Sequence, residues 1–110
     1  MIVSEQPFIV PATILFIIAI PLIIDIIPRN RLYGVRTLKT LSDDEYWYKG
    51  NRFGGWAILI TSLIYMLTAI IFPYNKASID NFPVWQIHFG ALVVSLLAGL
   101  LITGLYIKKL

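Results

Sequence analysis

Three apolar runs, each long enough to cross a lipid bilayer as a helix, dominate the sequence. They cover residues 8–27, 55–72 and 84–107, and together they contain one carboxylate, Asp25, and no lysine or arginine. A helix of roughly 17–25 apolar residues spans a hydrocarbon core of about 30 Å. Helices also satisfy their own backbone hydrogen bonds where water is absent. The sequence therefore predicts an all-α integral membrane protein with three transmembrane helices in a single domain, residues 1–110.

Positive charge is concentrated on one side of these predicted helices. Six of the nine lysine and arginine residues lie between the first two apolar runs, and Lys108 and Lys109 follow the third. Lys76 alone lies in the other connection. Because short cytoplasmic loops retain lysine and arginine, we expect a multi-pass protein of the plasma (inner) membrane, with the N-terminus outside and the C-terminus cytoplasmic. The net charge of +3 then indicates contact with anionic lipid headgroups and not with nucleic acid.

A basic and aromatic-rich segment, residues 28–55, connects the first two predicted helices. Pro28 is expected to end the first helix. Ser42–Glu45 has the pattern of a capping box, so a short helix should start at Asp43. The Gly54–Gly55 pair then allows either a bend into the second membrane helix or one continuous helix.

The basic segment also carries polar residues that membrane anchoring does not require: Asn30, Thr37, Thr40 and Asn51. Such side chains bond to nearby backbone groups and cap helix ends. We therefore expect an ordered cytoplasmic loop that folds back on itself. Guanidinium groups bind carboxylate or phosphate through paired hydrogen bonds, which makes the arginines of this loop candidate binding residues.

Two residues of the first apolar run stand out. Pro21 is expected to kink the helix. Asp25 is a functional candidate by its position, since acids in membrane helices are rare. It also precedes Arg29 by four residues, the spacing of an ion pair on a helix. We interpret Asp25 as a structural partner of Arg29 near the interface.

The third apolar run carries small residues at four-residue spacing: Ala91, Ser95, Gly99 and Thr103. Such a stripe lets another helix approach closely. It fits packing inside the three-helix unit and docking of a partner equally well. His88 precedes the stripe, and a lone histidine is more often a hydrogen-bonded residue at a wet boundary than a haem or metal ligand.

Catalytic patterns are missing from the sequence. It has no paired-carboxylate site, no Ser-His-Asp set, no zinc-binding HExxH and no phosphate-binding glycine loop. Cysteine is absent, which excludes disulfides and thiolate metal sites. We expect a protein that is not an enzyme and that has no cofactor or metal.

The loop resembles the signature of the SdpI-like family of bacterial membrane proteins. That signature has a proline, an asparagine and an aromatic-Gly-x-Arg-Thr stretch, followed by Thr-Leu, a short acidic segment, a tryptophan and Asn-Arg before a glycine. Here it comprises Pro28, Asn30, Tyr33, Gly34, Arg36, Thr37, Thr40–Leu41, Asp43–Glu45, Trp47, Asn51–Arg52 and Gly54. The resemblance covers about residues 22–106 and corresponds to a single, C-terminal-type module of the family.

The resemblance implies a small bacterial membrane protein of the immunity or signal-sensing type. The best-known family member protects a toxin-producing bacterium against a secreted peptide, and it holds a transcriptional repressor at the membrane. By this resemblance the signature residues would bind a peptide toxin within the membrane or a soluble repressor, with Arg36 and Asn51 the strongest candidates. That member has an additional N-terminal membrane module. Its absence here keeps open an alternative, a non-catalytic accessory subunit of a larger membrane complex.

Overall fold

The computed structural model describes residues 2–110. Within that range the chain forms helices and no strand. A short 3-10 turn at Val3–Glu5 precedes four α-helices: α1 (Ile9–Ile23), α2 (Leu38–Ser42), α3 (Asp44–Ile71) and α4 (Phe82–Lys108). We call the end formed by residues 24–43 and the last turn of α4 the basic end, and the end formed by residues 2–8 and 72–81 the opposite end.

Helix α3 is the centre of the bundle, and α1 and α4 pack against its two sides. Glycines of α3 and α4 allow the close approach. A Cβ atom on Gly55 would lie 3.1 Å from the carbonyl oxygen of Ala19 in α1, and one on Gly99 would lie 3.3 Å from the Cβ of Ala57. Small residues therefore set the distance between the helices, as is usual where lipid removes the hydrophobic drive for association.

The two long helices have the dimensions and surface of membrane spans. Helices α3 and α4 have 28 and 27 residues, and only 33% and 17% of their most apolar windows are buried. Large apolar side chains such as Leu67 and Val94 are mostly exposed. A soluble protein of this size does not expose apolar surface over its whole length. Together these features indicate a membrane protein, and its orientation stays a prediction.

The first helix is shorter than the predicted span of residues 8–27. It ends at Ile23, after 15 residues, because Asp25 adopts a left-handed backbone conformation with φ of 61°. Pro21 lies inside α1 and the helix continues through it. The carbonyl oxygen of Ile18, in the turn before Pro21, accepts a hydrogen bond from the Tyr33 hydroxyl of the loop.

The predicted ion pair between Asp25 and Arg29 is wrong. Asp25 instead binds Arg52 of α3, with an oxygen–nitrogen distance of 2.5 Å. Arg29 lies 3.4 Å from the carboxylate of Asp44. Because α1 ends before Asp25, the four-residue spacing no longer places the two side chains on one helical face.

The predicted capping box at Ser42 is also wrong. Ser42 is the last residue of α2, and its hydroxyl bonds back to the carbonyl oxygen of Lys39. Asp43 is the N-cap of α3, and its carboxylate accepts the backbone N–H of Glu45.

Of the two possibilities at Gly54–Gly55, the structure has the continuous helix. Helix α4 extends slightly beyond the predicted span of residues 84–107.

A buried polar network joins the start of α1 to α3 and α4 at the opposite end. The Tyr65 hydroxyl accepts the backbone N–H of Phe8 at 2.9 Å and lies 3.0 Å from Nδ1 of His88. Nε2 of His88 lies 2.7 Å from the carbonyl oxygen of Phe72, just past the end of α3. His88 has no exposed surface, so the predicted wet boundary position is wrong, although it is hydrogen-bonded as expected.

We expect Tyr65→Phe to destabilise the fold by about 2 kcal/mol, since it leaves a backbone N–H and a ring nitrogen without partners. Unfolding of the purified protein in detergent, titrated with sodium dodecyl sulfate, measures this change. Tyr74→Phe is the matched control, because the Tyr74 hydroxyl makes no hydrogen bond to the described residues. Equal stability of the two variants would contradict a structural role for the network.

Candidate functional site

The signature residues of the loop converge on the first three turns of α3. Trp47 is fully buried there, and its indole Nε1 donates to the carbonyl oxygen of Ile27 at 2.8 Å. This bond fixes the chain just after α1. A buried tryptophan needs a partner for its N–H, and here the partner comes from the loop and not from α3.

The side-chain amide of Asn51 binds both the N–H and the carbonyl oxygen of Val35. Its Oδ1 accepts the N–H of Val35 at 2.5 Å, and its Nδ2 donates to the Val35 carbonyl oxygen at 3.2 Å. Nδ2 also donates to the carbonyl oxygen of Trp47 at 2.9 Å. The Asn51 side chain is 2% exposed. One buried amide therefore holds the middle of the loop against α3.

A second asparagine organises the loop locally. Oδ1 of Asn30 accepts the backbone N–H groups of Leu32 and Tyr33, at 2.8 and 2.7 Å. Its Nδ2 donates to the carbonyl oxygens of Pro28 and Tyr33. The turn directs the Tyr33 ring back to α1, where its hydroxyl donates to Ile18. Burial raises the pKa of the Tyr33 hydroxyl, which keeps it protonated as that bond requires.

Gly34 lies at the closest point between the loop and α3. Its φ of +118° is a conformation that L side chains rarely adopt. A Cβ atom there would lie 2.6 Å from Oδ1 of Asn51 and 3.1 Å from the Trp47 ring. Both the turn and the contact therefore require glycine.

The loop has a capping box that the sequence patterns did not reveal. Thr37 is the N-cap of α2, its side chain accepts the N–H of Thr40, and the Thr40 hydroxyl accepts the N–H of Thr37. The Thr40 hydroxyl also donates to the carbonyl oxygen of Val35 at 2.9 Å. The Thr40 methyl group and Ile107 of α4 both face Gly50, so α2 lies in the angle between α3 and α4.

Charges at the basic end divide into paired and unpaired groups. Asp25, Asp44 and Glu45 each pair with a basic side chain: Arg52, Arg29 and Lys49 respectively. The remaining cations at this end form no ion pair within residues 2–110: Arg31, Arg36, Lys39, Lys108 and Lys109. Arg36 is exposed, and its Nη1 donates to the carbonyl oxygen of Arg31.

The sequence profile of the SdpI/YfhL protein family matches residues 26–106. The chain belongs to this family. No curated protein and no solved structure matches it significantly. The matched segment includes most of the folded loop, α3 and nearly all of α4, and it begins after the end of α1.

The signature residues have two kinds of environment in this family domain. Most of them build the loop: Asn30, Tyr33, Gly34, Thr37, Trp47, Asn51 and Gly54 are buried or half-buried. Gly54 allows Val35 to approach α3, since a Cβ there would lie 2.6 Å from a methyl group of Val35. The exposed signature residues are Pro28, Arg36, Asp43–Glu45 and Arg52. Asp43 caps α3, and Asp44, Glu45 and Arg52 form ion pairs, so Arg36 is the exposed charged residue of the signature that has no ion pair within residues 2–110. Val35 and the Asp25–Arg52 pair are contributors that the sequence interpretation missed.

The small-residue stripe of α4 has a mixed role. Thr103 is buried next to Gly54, and Gly99 contacts Ala57, so both pack inside the unit. Ala91 is half-buried. Ser95 lines an open groove of about 570 Å³ between α3 and α4. The other lining residues are Phe53, Trp56, Ala57, Ile60, Thr61, Ile64, Ala98, Gly99 and Ile102.

Proposed function

We propose that this chain is a bacterial membrane protein of the immunity or signal-sensing type, without catalytic activity, in which the folded loop carries the binding surface for a partner. Membership of the SdpI/YfhL family supports the immunity class. The partner classes are a peptide toxin within the membrane and a soluble regulator at the basic end. The observation that carries the proposal is that Arg36 is exposed and forms no ion pair within residues 2–110, whereas the other charged residues of the signature pair or cap a helix.

The loop is connected to the membrane helices in a way that suits signalling. Thr40 of α2 lies next to both Gly50 of α3 and Ile107 of α4. Nζ of Lys39 donates to the carbonyl oxygen of Lys108 at 3.4 Å, which adds a contact between α2 and the end of α4. A peptide that changes the distance between α3 and α4 would therefore move α2 and the adjacent Arg36.

Arg36→Ala is expected to reduce partner binding and toxin protection at least about tenfold, since hydrogen bonds to charged groups contribute about 1.5–3 kcal/mol each. Affinity purification from the native host in mild detergent, followed by mass spectrometry, measures the partner retained. Survival of a sensitive strain that expresses the protein measures protection. Protein abundance should not change, because the Arg36 side chain is exposed.

Arg31→Ala is the matched control, since Arg31 is an exposed arginine of the same loop that lies outside the signature. It contacts Arg36 through its backbone carbonyl, which the substitution keeps. Equal losses for the two variants would mean that net charge, not a specific contact, binds the partner. Stoichiometric recovery of large integral-membrane subunits would instead favour the accessory-subunit alternative.

A further inference from the structure

The groove between α3 and α4 is about as long as one leaflet of a membrane. Its lining on α3 runs from Phe53 to Ile64, residues eleven apart, or about 16 Å along a helix. The hydrocarbon core is about 30 Å thick. The residue after Ile64, Tyr65, is buried and bonds directly to His88 of α4, so the groove does not continue beyond Ile64. A partner's transmembrane helix would extend through both leaflets, whereas an acyl chain occupies one.

The hydroxyl groups of the groove wall are not available to a polar ligand. Thr61 and Ser95 are its two hydroxyl residues. The Thr61 hydroxyl donates to the carbonyl oxygen of Ala57 at 3.0 Å, and the Ser95 hydroxyl donates to that of Ala91. Both hydroxyl donors therefore bond within their own helices. What remains is an apolar wall of the kind that accepts hydrocarbon.

The groove opens towards lysines at the basic end. The rings of Phe53 and Tyr106 stack at its mouth, with centroids 4.2 Å apart. Lys49 precedes Trp56 by seven residues, and Lys109 follows Ile102 by seven. Seven residues are close to two helical turns. Lys49 therefore lies on the groove side of α3, and Lys109, the C-cap residue of α4 with helical backbone angles, continues the groove side of α4.

The mouth of the groove retains positive charge. Lys49 pairs with Glu45 at 2.8 Å, and both side chains are largely exposed. Lys109 and its neighbour Lys108 form no ion pair within the described part of the chain. An apolar groove of one-leaflet length, with the exposed Lys49 and the unpaired Lys109 at its mouth, is complementary to a lipid with a negatively charged headgroup.

We propose that the α3–α4 groove binds an anionic phospholipid, with one acyl chain along Trp56 and Ala98 and the phosphate group at Lys49 and Lys109. This site is separate from the loop surface and does not depend on the function proposed above. The lipid completes the packing between α3 and α4 in the leaflet at the basic end.

Quenching of Trp56 by brominated lipids tests the site, because Trp56 lines the groove. The full chain is reconstituted in phosphatidylcholine bilayers with increasing amounts of phosphatidylglycerol or phosphatidylcholine brominated on the acyl chain. Subtracting the signal of Trp56→Phe removes the contributions of Trp47 and Trp85. Brominated phosphatidylglycerol should quench Trp56 at a lower mole fraction than brominated phosphatidylcholine. Equal quenching by the two lipids would overturn the proposal.

Charge variants test the headgroup contact. Each of Lys49→Gln and Lys109→Gln should reduce the preference for phosphatidylglycerol about fivefold, the effect of one lysine near an anionic membrane surface. Lys76→Gln, in the connection at the opposite end, should keep the preference. A preference that survives both groove substitutions would overturn the assignment of these lysines. Since both side chains are exposed, the variants should fold normally.

Filling the groove tests the acyl chain position. Ala98→Leu places extra carbons in the groove and should abolish the lipid preference. Val94→Leu is the control, because Val94 is 66% exposed on α4 and does not line the groove. If neither lipid quenches Trp56 in the wild-type protein, then another helix, from a peptide or a second copy of the chain, covers the groove, and the lipid proposal is wrong.

Discussion

Asn51→Ala should release the basic loop from α3, with a loss of stability of about 3 kcal/mol. The substitution removes three hydrogen bonds, two to Val35 and one to Trp47. It leaves the N–H of Val35 without a partner next to a buried cavity, and an unsatisfied buried group costs about 1–3 kcal/mol. The lost packing of the side chain adds to this cost.

Amide hydrogen exchange in bilayers measures the release directly, since it reports local opening as well as global unfolding. Exchange at residues 31–37 should become fast in Asn51→Ala, while α4 stays protected. Arg52→Ala is the control at the neighbouring position. It removes a partly exposed ion pair with Asp25, and such pairs contribute about 0–1 kcal/mol. Slow exchange of the loop in Asn51→Ala would show that Asn51 is not its anchor.

The loop illustrates what the sequence can predict about this fold. Membrane anchoring of the loop needs only positive charge. The asparagine and threonine residues in it therefore indicated side chains that bond to the backbone. In the structure Asn30, Thr37, Thr40 and Asn51 do make such bonds. The inference succeeds because the chemistry is local to each residue type. Whether the loop faces the cytoplasm depends on the membrane and stays a prediction.

Long-range partners could not be predicted from spacing. Asp25 was assigned to Arg29 by helical periodicity, but its partner Arg52 lies 27 residues away on α3. The pairing follows from the early end of α1 and the packing of α1 against α3. The open groove is likewise formed by residues of two helices, α3 and α4, that are far apart in the sequence. The sequence showed the small residues of α4, but it did not show which of them pack against α3 and which line the groove.

The capping box shows a different limit. Ser42–Glu45 matches the usual pattern of Ser or Thr followed by Glu, whereas the box in the structure uses Thr37 and Thr40. A threonine hydroxyl can accept the same backbone N–H as a glutamate. Thr37 and Thr40 were expected to cap a helix end, but the capping box that the two threonines form together was not recognised. The family signature contains both threonines, and the structure explains them as a cap for α2.

Gly34→Ala should destabilise the protein by about 2–6 kcal/mol, for two separable reasons. A side chain at φ of +118° costs about 1–3 kcal/mol in backbone strain. The new Cβ would also lie 2.6 Å from Oδ1 of Asn51, and overpacking of this kind costs about 1–3 kcal/mol. Unfolding by sodium dodecyl sulfate gives the total. Gly104→Ala is the matched control in α4, where a Cβ meets nothing within 4 Å, and it should be neutral or stabilising by up to about 1 kcal/mol.

A double-mutant cycle with Asn51→Ala separates the two causes. Without the Asn51 amide the Cβ of residue 34 has room on that side, so Gly34→Ala should cost less in the Asn51→Ala background than in the wild type. The difference measures the contact, because coupling energies report pairs that touch. The cost that remains is backbone strain together with the contact to the Trp47 ring at 3.1 Å. If the cost of Gly34→Ala is the same in both backgrounds, the close approach to Asn51 contributes nothing, and the signature glycine is required for its backbone conformation and the tryptophan contact.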